Sequence, residues 1–252
     1  AFRMVASSKL VVKALAAEYD LTEAVLTHRL MGDIATTDDF NESLIEPDEA
    51  DANPSRPYPF FLAAPIDVEK FEAAFEDEEN RWQAEWKWDG IRAQLIYREG
   101  QLFTWSRGED LLTHQFPEFE AAIATMPAGT VLDGEIVCWD GSVSQQCTIR
   151  PLDFNFLQKR LGRKRVTKKL MAENPVHFIA YDLLEKDGED WRTKPLSERR
   201  ASLIALMDAN PTEVMSYAKP LPFETFEELE ALRSHAREYG SEGRMLNAFD
   251  RT

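Results

Sequence analysis

This chain of 252 residues predicts an α+β fold built on mainly antiparallel sheets with helices outside, preceded by a short all-helical segment. Three observations carry that prediction. Apolar runs of strand character recur at irregular intervals, and two of them, Ile91–Arg98 and Gln101–Ser106, flank Glu99-Gly100 as a hairpin does. Helical patterns with their own start signals fall between the runs without a regular strand-helix repeat, which argues against a parallel sheet. The stretch EPDEADANPSRPYP, residues 46–59, combines acids with four prolines and shows no apolar period until Tyr58, so it reads as a linker.

The elements follow in order. Residues 7–32 read as two short helices: Leu10, Val11, Ala14 and Leu15 have helical spacing, and Asp20-x-x-Glu23 resembles a capping box for a second helix closed by Gly32. Beyond the linker, a helix is expected over 67–76 and a strand near Trp82–Trp88, followed by the hairpin. Pro117 opens a helix to about Met126, at the one helical position where its missing N–H costs nothing. Strands are expected over 130–139 and 176–184, then helices over 197–207 and 225–237, the last with Thr225-x-x-Glu228 as a capping box. Alternation puts Trp82, Trp86 and Trp88 on a single strand face, so these rings are expected to pack rather than to stack on a ligand.

Composition narrows the class. An apolar content of 44% suits a globular chain, and no apolar run approaches the length of a membrane span. The two cysteines, Cys138 and Cys147, make neither a disulfide framework nor a zinc site, so a reduced, cytoplasmic setting is expected. His28, His114, His177 and His235 are scattered and suggest no metal or acid–base pair. A net charge of −16 argues at first against nucleic acid. Distribution argues the other way: Lys159, Arg160, Arg163, Lys164, Arg165, Lys168 and Lys169 lie close together with no acid among them, so one face is expected to be basic and to contact DNA.

The chemistry centres on Lys87-Trp88-Asp89-Gly90-Ile91-Arg92. A lysine amine attacks phosphorus only when neutral, which burial and a neighbouring cation such as Arg92 favour, and glycine lets the backbone approach a ligand. Five further segments follow: Ser106-Arg107-Gly108-Glu109, Leu132-Asp133-Gly134-Glu135-Ile136, Phe178-Ile179-Ala180-Tyr181-Asp182-Leu183-Leu184, Lys194-Pro195-Leu196-Ser197-Glu198-Arg199-Arg200 and Glu242-Gly243-Arg244-Met245-Leu246. In this order the set resembles the motifs of ATP-dependent DNA ligases. Together with Tyr58-Pro59-Phe60-Phe61-Leu62-Ala63, the wording is most similar to the bacterial type with an N-terminal helical DNA-binding domain.

That resemblance implies a two-sheet nucleotidyltransferase fold, related to ATP-grasp, over 60–252, a remnant of the helical DNA-binding domain over 1–45, and the linker 46–59 between them. It implies that Lys87 takes AMP from ATP, that AMP passes to the 5′-phosphate of nicked double-stranded DNA, and that the 3′-hydroxyl then seals the strand. Carried over residue by residue, Glu85 accepts from the adenine amino group, Tyr181 stacks on the ring, Arg92 and Glu135 hold the ribose, and Arg107 lies near the phosphate. The resemblance further implies Glu242 and Glu135 as metal ligands for Mg²⁺ or Mn²⁺. A monomer associated with the nucleoid is the expected setting.

The late motif departs from the family pattern: Asn247 stands where a lysine is usual, and Arg244 where an apolar residue is usual. Family members continue into a strand bearing two lysines and then an OB-fold domain, so a chain ending at Thr252 is expected to adenylylate itself weakly alone. The competing expectations are an RNA ligase, a GTP-using capping enzyme, or a DNA-binding module with impaired catalysis.

Overall fold

A computed structural model describes residues 8–19, 54–63, 65, 71, 82–108, 110–143, 149–163 and 165–250. The chain divides into two compact units, Ala1–Phe61 and Leu62–Thr252. The first contains helix α1, Ser8–Tyr19, where the leucine and valine spacing called for one. The helix expected from Asp20 lies outside the described residues, as does the helix over 67–76 apart from Phe71.

In the second unit, strands β1 (Trp82–Trp88), β2 (Ile91–Arg98) and β3 (Gln101–Ser106) fall where alternation placed them. Glu99 and Gly100 both have positive φ, 53° and 73°, the two-residue turn whose twist matches paired strands. Helix α2 (Glu118–Ile123) begins directly after Pro117, and β4 runs Thr130–Val143. Then come β5 (Ile149–Pro151), α3 (Asn155–Gln158), α4 (Lys168–Glu173), β6 (Val176–Lys186), β7 (Glu189–Asp190) and α5 (Leu196–Ala209). Strand β8 (Met215–Tyr217), helix α6 (Phe226–His235) and β9 (Ser241–Ala248) complete the described elements. At the start of α6, Thr225 Oγ1 accepts from Glu228 N–H, while the Glu228 carboxylate accepts from the N–H of Glu224 rather than that of Thr225.

Two sheets result. One orders its strands β3-β2-β4-β6-β7, with β5 on β4 and β8 on β6; the other pairs β1 with β9. All these pairings are antiparallel except β6 with β8. Strict alternation splits the large sheet into unlike faces. Ala93, Leu95, Leu132, Ile136, Phe178 and Ala180 pack with Phe119 and Ile123 of α2 and Leu203 and Met207 of α5 in the main core. Each large aliphatic or aromatic side chain buried there contributes about 1.5–3 kcal/mol. Cys138 belongs to that core, and burial pushes its thiol up to about 11, leaving it unreactive at neutral pH. The other face carries Arg92, Asp133, Glu135 and Tyr181.

Two irregularities in the pairing matter for that polar face. In β6, Asp182 pairs with Asp133 and Ala180 with Gly134, so Tyr181 is the extra residue of a bulge. In β9, Gly243 pairs with Lys87 and Ser241 with Trp88, so Glu242 is the extra residue of a second. A bulge re-aims the side chain it carries. Trp86 and Trp88 pack with Val137, Ile179 and Tyr181, confirming a packing role, while Trp82 packs with Phe71 at 4.9 Å between ring centroids.

Candidate active site

Strand β1 presents Gln83, Glu85 and Lys87 on the face opposite its tryptophans. The bulge in β9 turns Glu242 toward Lys87, and the Lys87 amine forms an ion pair with the Glu242 carboxylate. Ser241 holds the bulge in shape: its Oγ lies 2.8 Å from the Lys87 carbonyl and 2.6 Å from that of Gly243, and accepts from Gly243 N–H at 3.2 Å. The Lys87 side chain is 52% exposed, so the expectation of a buried amine is corrected. A reactive amine at the end of a flexible stem must be reachable by a triphosphate, and exposure provides that.

Arg92 is paired with an acid on the neighbouring strand. Its Nε and Nη2 donate to the two oxygens of Asp133 at 2.7 and 2.8 Å, a bidentate fork, and its Cζ lies 4.9 Å from the centroid of the Tyr181 ring. Burial opposes the guanidinium charge, but Asp133 outweighs it and raises the Arg92 pKa. Asp133 is a site residue that sequence reasoning passed over, although alternation in Asp133-Gly134-Glu135 already put both acids on one face.

Glu135 pairs in register with Arg92 across β2 and β4 and is 8% exposed. Burial pushes its carboxyl up to about 8, against the lowering influence of Arg92, with Asp133 raising it further and Arg107 and Lys87 opposing. Arg107 is exposed and is tied to the site by its N–H, which donates to the Arg92 carbonyl at 2.9 Å. Asp89 is also raised, by burial first and then by Glu242 and Asp153, while Lys87 lowers it. Gly90 is required by packing: a Cβ there would lie 2.3 Å from the Ile136 carbonyl oxygen and 2.8 Å from Glu135 Cγ.

Behind these groups, Glu85 is 2% exposed and accepts from Gln83 Nε2 at 3.0 Å. It forms an ion pair at 3.0 Å with Arg200 of α5. Burial pushes its carboxyl up to about 7 even so, with Arg200 the main opposing influence. Asn247, the departure from the family pattern, lies 3.5 Å from Glu85 through its Nδ2, and Arg244 docks β9 on α6 by donating to the Leu229 carbonyl at 2.5 Å. Tyr181 is 7% exposed, with its phenol raised well above its ordinary value, mainly by burial.

Glu135 and Glu242 are both coupled to Lys87, as Asp89 is. Among the described residues, no group of three or more His, Cys, Asp or Glu could hold a metal ion by itself. Two carboxylates fit Mg²⁺ when phosphate and water complete the shell, and a buried acid held neutral, as Glu135 is, gains a counter-charge from a cation beside it.

The charge of Glu135 has a measurable consequence. Its folded carboxyl keeps, up to about pH 8, a proton that the unfolded chain releases at its ordinary value of 4.5, so its contribution to stability is lost as pH rises through that window. Thermal melts of Glu135→Gln against the native sequence are expected to show the variant gaining in relative Tm from pH 5 to pH 9; a difference independent of pH would refute the assignment.

The basic segment is only partly the face that the sequence suggested. Lys159, Arg163, Arg165, Lys168 and Lys169 are exposed, and Lys164 lies outside the described residues. Arg160 is a correction: it is 0% exposed. Its Nη1 donates to Glu118 at 3.0 Å and to the Gln115 carbonyl at 3.2 Å, and its Nε to the Asn174 carbonyl at 2.9 Å. A side chain enclosed this way reaches no phosphate.

Comparison with known proteins agrees with this geometry. Residues 60–252 match the family described as ATP dependent DNA ligase domain. A probable DNA ligase of Koribacter versatilis is 32% identical over 211 residues, covering 75% of this chain and 35% of its own length. DNA ligase C of Mycobacterium tuberculosis is 40% identical over 121 residues, 47% of this chain and 31% of its own. The chain thus spans about a third of the length of these two relatives. The crystal structure of the ligase domain of M. tuberculosis LigD superposes with a TM-score of 0.50 at 26% identity, covering 68% of this chain and 49% of that one. With a two-sheet nucleotidyltransferase fold, an exposed lysine facing a bulged glutamate, and a family match across the whole second unit, the chain belongs to the ATP-dependent DNA ligase domain family.

Proposed function

We propose that the protein carrying this chain is an ATP-dependent DNA ligase in which Lys87 is the covalent nucleophile. The observation that carries the reading is the Lys87 amine paired with Glu242 across β1 and β9, beside buried Glu135. Lys87 Nζ attacks the α-phosphorus of ATP, forming a P–N bond while the P–O bond to pyrophosphate breaks, and the amine proton leaves to water. Arg107 stands ready for the phosphate charge, Arg92 with Glu135 for the ribose, and Tyr181 and Glu85 for the base. Displacements at phosphorus of this kind depend mainly on positioning and cationic stabilisation. Glu135 and Glu242 would hold a divalent ion such as Mg²⁺ or Mn²⁺, which would supply neutralising charge for the phosphate oxygens.

AMP then moves from the lysine to the 5′-phosphate of a nick, freeing the amine, and the 3′-hydroxyl displaces AMP to close the strand. A monomer working on nicked double-stranded DNA in the cytoplasm, at the nucleoid, fits this reading. Among the described residues no helix is long and apolar enough to cross a membrane.

Mass spectrometry of the full-length protein after incubation with ATP and Mg²⁺ is the test. An added AMP on the peptide containing Lys87 supports the proposal, and AMP elsewhere, or none, overturns it. Parallel reactions with nicked RNA and with GTP separate the RNA-ligase and capping alternatives. For the DNA face, the triple variant Lys159→Ala, Arg163→Ala, Arg165→Ala is expected to weaken nicked-DNA binding uniformly across sequences and to reduce the salt slope by about three. A fluorescence-anisotropy titration at several salt concentrations reads both, and an unchanged slope would remove these residues from the interface.

A further inference from the structure

We propose that Arg200 is a positioning residue for base recognition, one guanidinium that aims the carboxylate of Glu85 and anchors the backbone at Tyr181 together. This inference rests on the reading of ATP as the nucleotide. From α5, Nη2 of Arg200 meets Glu85 Oε1 at 3.0 Å, and Nη1 donates to the Tyr181 carbonyl at 2.8 Å. Nη2 also donates to the Ala218 carbonyl, just after β8. The two groups that line up with an adenine in the proposed site therefore share a single fastener from α5.

Stability alone does not explain this arrangement. The side chains of Arg200 and Glu85 are 4% and 3% exposed, and taking two charges so far from water costs about as much as their attraction returns, or more. The Nε of Arg200 is also buried without a hydrogen-bond partner. An apolar pair of similar volume would fill the space at least as well. What the pair supplies instead is a carboxylate fixed in direction and drawn toward its charged form. Ionised, Glu85 only accepts, which matches the amino group at position 6 of adenine and mismatches the carbonyl at that position of guanine. Protonated, it would also donate, and the distinction would be lost.

The groups that set this charge come from every element around Glu85. Arg200 of α5 and Arg92 of β2 favour the ionised form, as does Gln83 of β1 by its hydrogen bond, while burial and Asp182 of β6 oppose it. Tyr181 of β6 is coupled to the same carboxylate, and Asn247 of β9 lies 3.5 Å from it. Arg200 is the strongest of the opposing influences to burial.

The test follows adduct formation by the full-length protein with ATP, with GTP, and with purine riboside triphosphate, which lacks the 6-amino group. In Arg200→Lys, which keeps the charge and loses the fork, KM for ATP is expected to rise about tenfold with the maximal rate changed less than about twofold. The preference for ATP over purine riboside triphosphate should fall toward one. In Arg200→Met, the acidic limb of the KM profile for ATP should move to higher pH, because Glu85 has lost its main counter-charge. Should that variant fail to fold, the pair Glu85→Gln with Arg200→Met removes both charges together, and its circular dichroism and nucleotide preference give the same reading.

Equal losses for ATP and purine riboside triphosphate, or a retained preference, would make Arg200 merely structural and overturn the inference while the ligase reading stands. A native protein that labels with no nucleotide at all would overturn both.

Discussion

Lys87→Ala in the full-length protein should abolish covalent labelling by α-labelled ATP, a loss on the order of 10⁵-fold or more, as removal of a covalent nucleophile does. No other amine can substitute, because the strand register fixes which side chain stands opposite the β9 bulge: Lys87 pairs with Gly243, and Glu242 is re-aimed at it. The fold should survive the change. The Lys87–Glu242 pair joins side chains that are 52% and 44% exposed, and a solvent-exposed ion pair contributes only about 0–1 kcal/mol. Lys87→Arg sharpens the test, since it keeps a cation for Glu242 but presents a guanidinium that is not nucleophilic at neutral pH. Thermal melts close to the native value, with no label in either variant, are the expected result. Label persisting in Lys87→Ala would sink the assignment of the nucleophile.

Arg160→Ala is expected to produce the largest loss of stability among the residues discussed, about 3–5 kcal/mol, because it removes the fully buried partner of a largely buried ion pair and leaves the other uncompensated. Glu118 in α2 would lose the guanidinium that neutralises it, and the carbonyls of Gln115 and Asn174 would lose their donor. These contacts tie the segment between α3 and α4 to α2 and the main core, so local unfolding of the basic segment should accompany the global loss. Urea denaturation measures the first and amide exchange the second. A stability change below about 1 kcal/mol, with weaker DNA binding instead, would return Arg160 to the set of phosphate contacts.

Much of this was legible in the residues themselves. The hairpin across Glu99-Gly100 was readable because two consecutive positive φ values require such a pair, and the tryptophan face of β1 because alternation is a local rule. The start of α6 was readable from Thr225 and Glu228, one turn apart. By contrast, β9 escaped notice: it pairs with β1 across more than 150 residues of sequence, and its own wording, SEGRMLNA, has little strand character. Arg200 escaped for a similar reason, since one arginine among several on a helix says nothing about which strand it will reach.

The basic run was misjudged at one position because charge density along the chain does not reveal direction. Arg160 falls directly after α3, where the chain turns it inward toward Glu118, while Lys159 beside it stays exposed. The fork that Arg92 makes with Asp133, two residues before Glu135 on the same strand face, was not anticipated, because cross-strand partners are set by register.

The sequence by itself determined the chemistry available to this protein: a lysine beside an Asp-Gly turn, followed in fixed order by the arginine, acid and aromatic motifs that a nucleotidyl transfer requires. Tertiary structure alone decided which of those groups meet. Bulges at Tyr181 and Glu242 and the buried bracket of Arg200 arise from pairings between distant segments, and their energies depend on burial and register that no local pattern encodes.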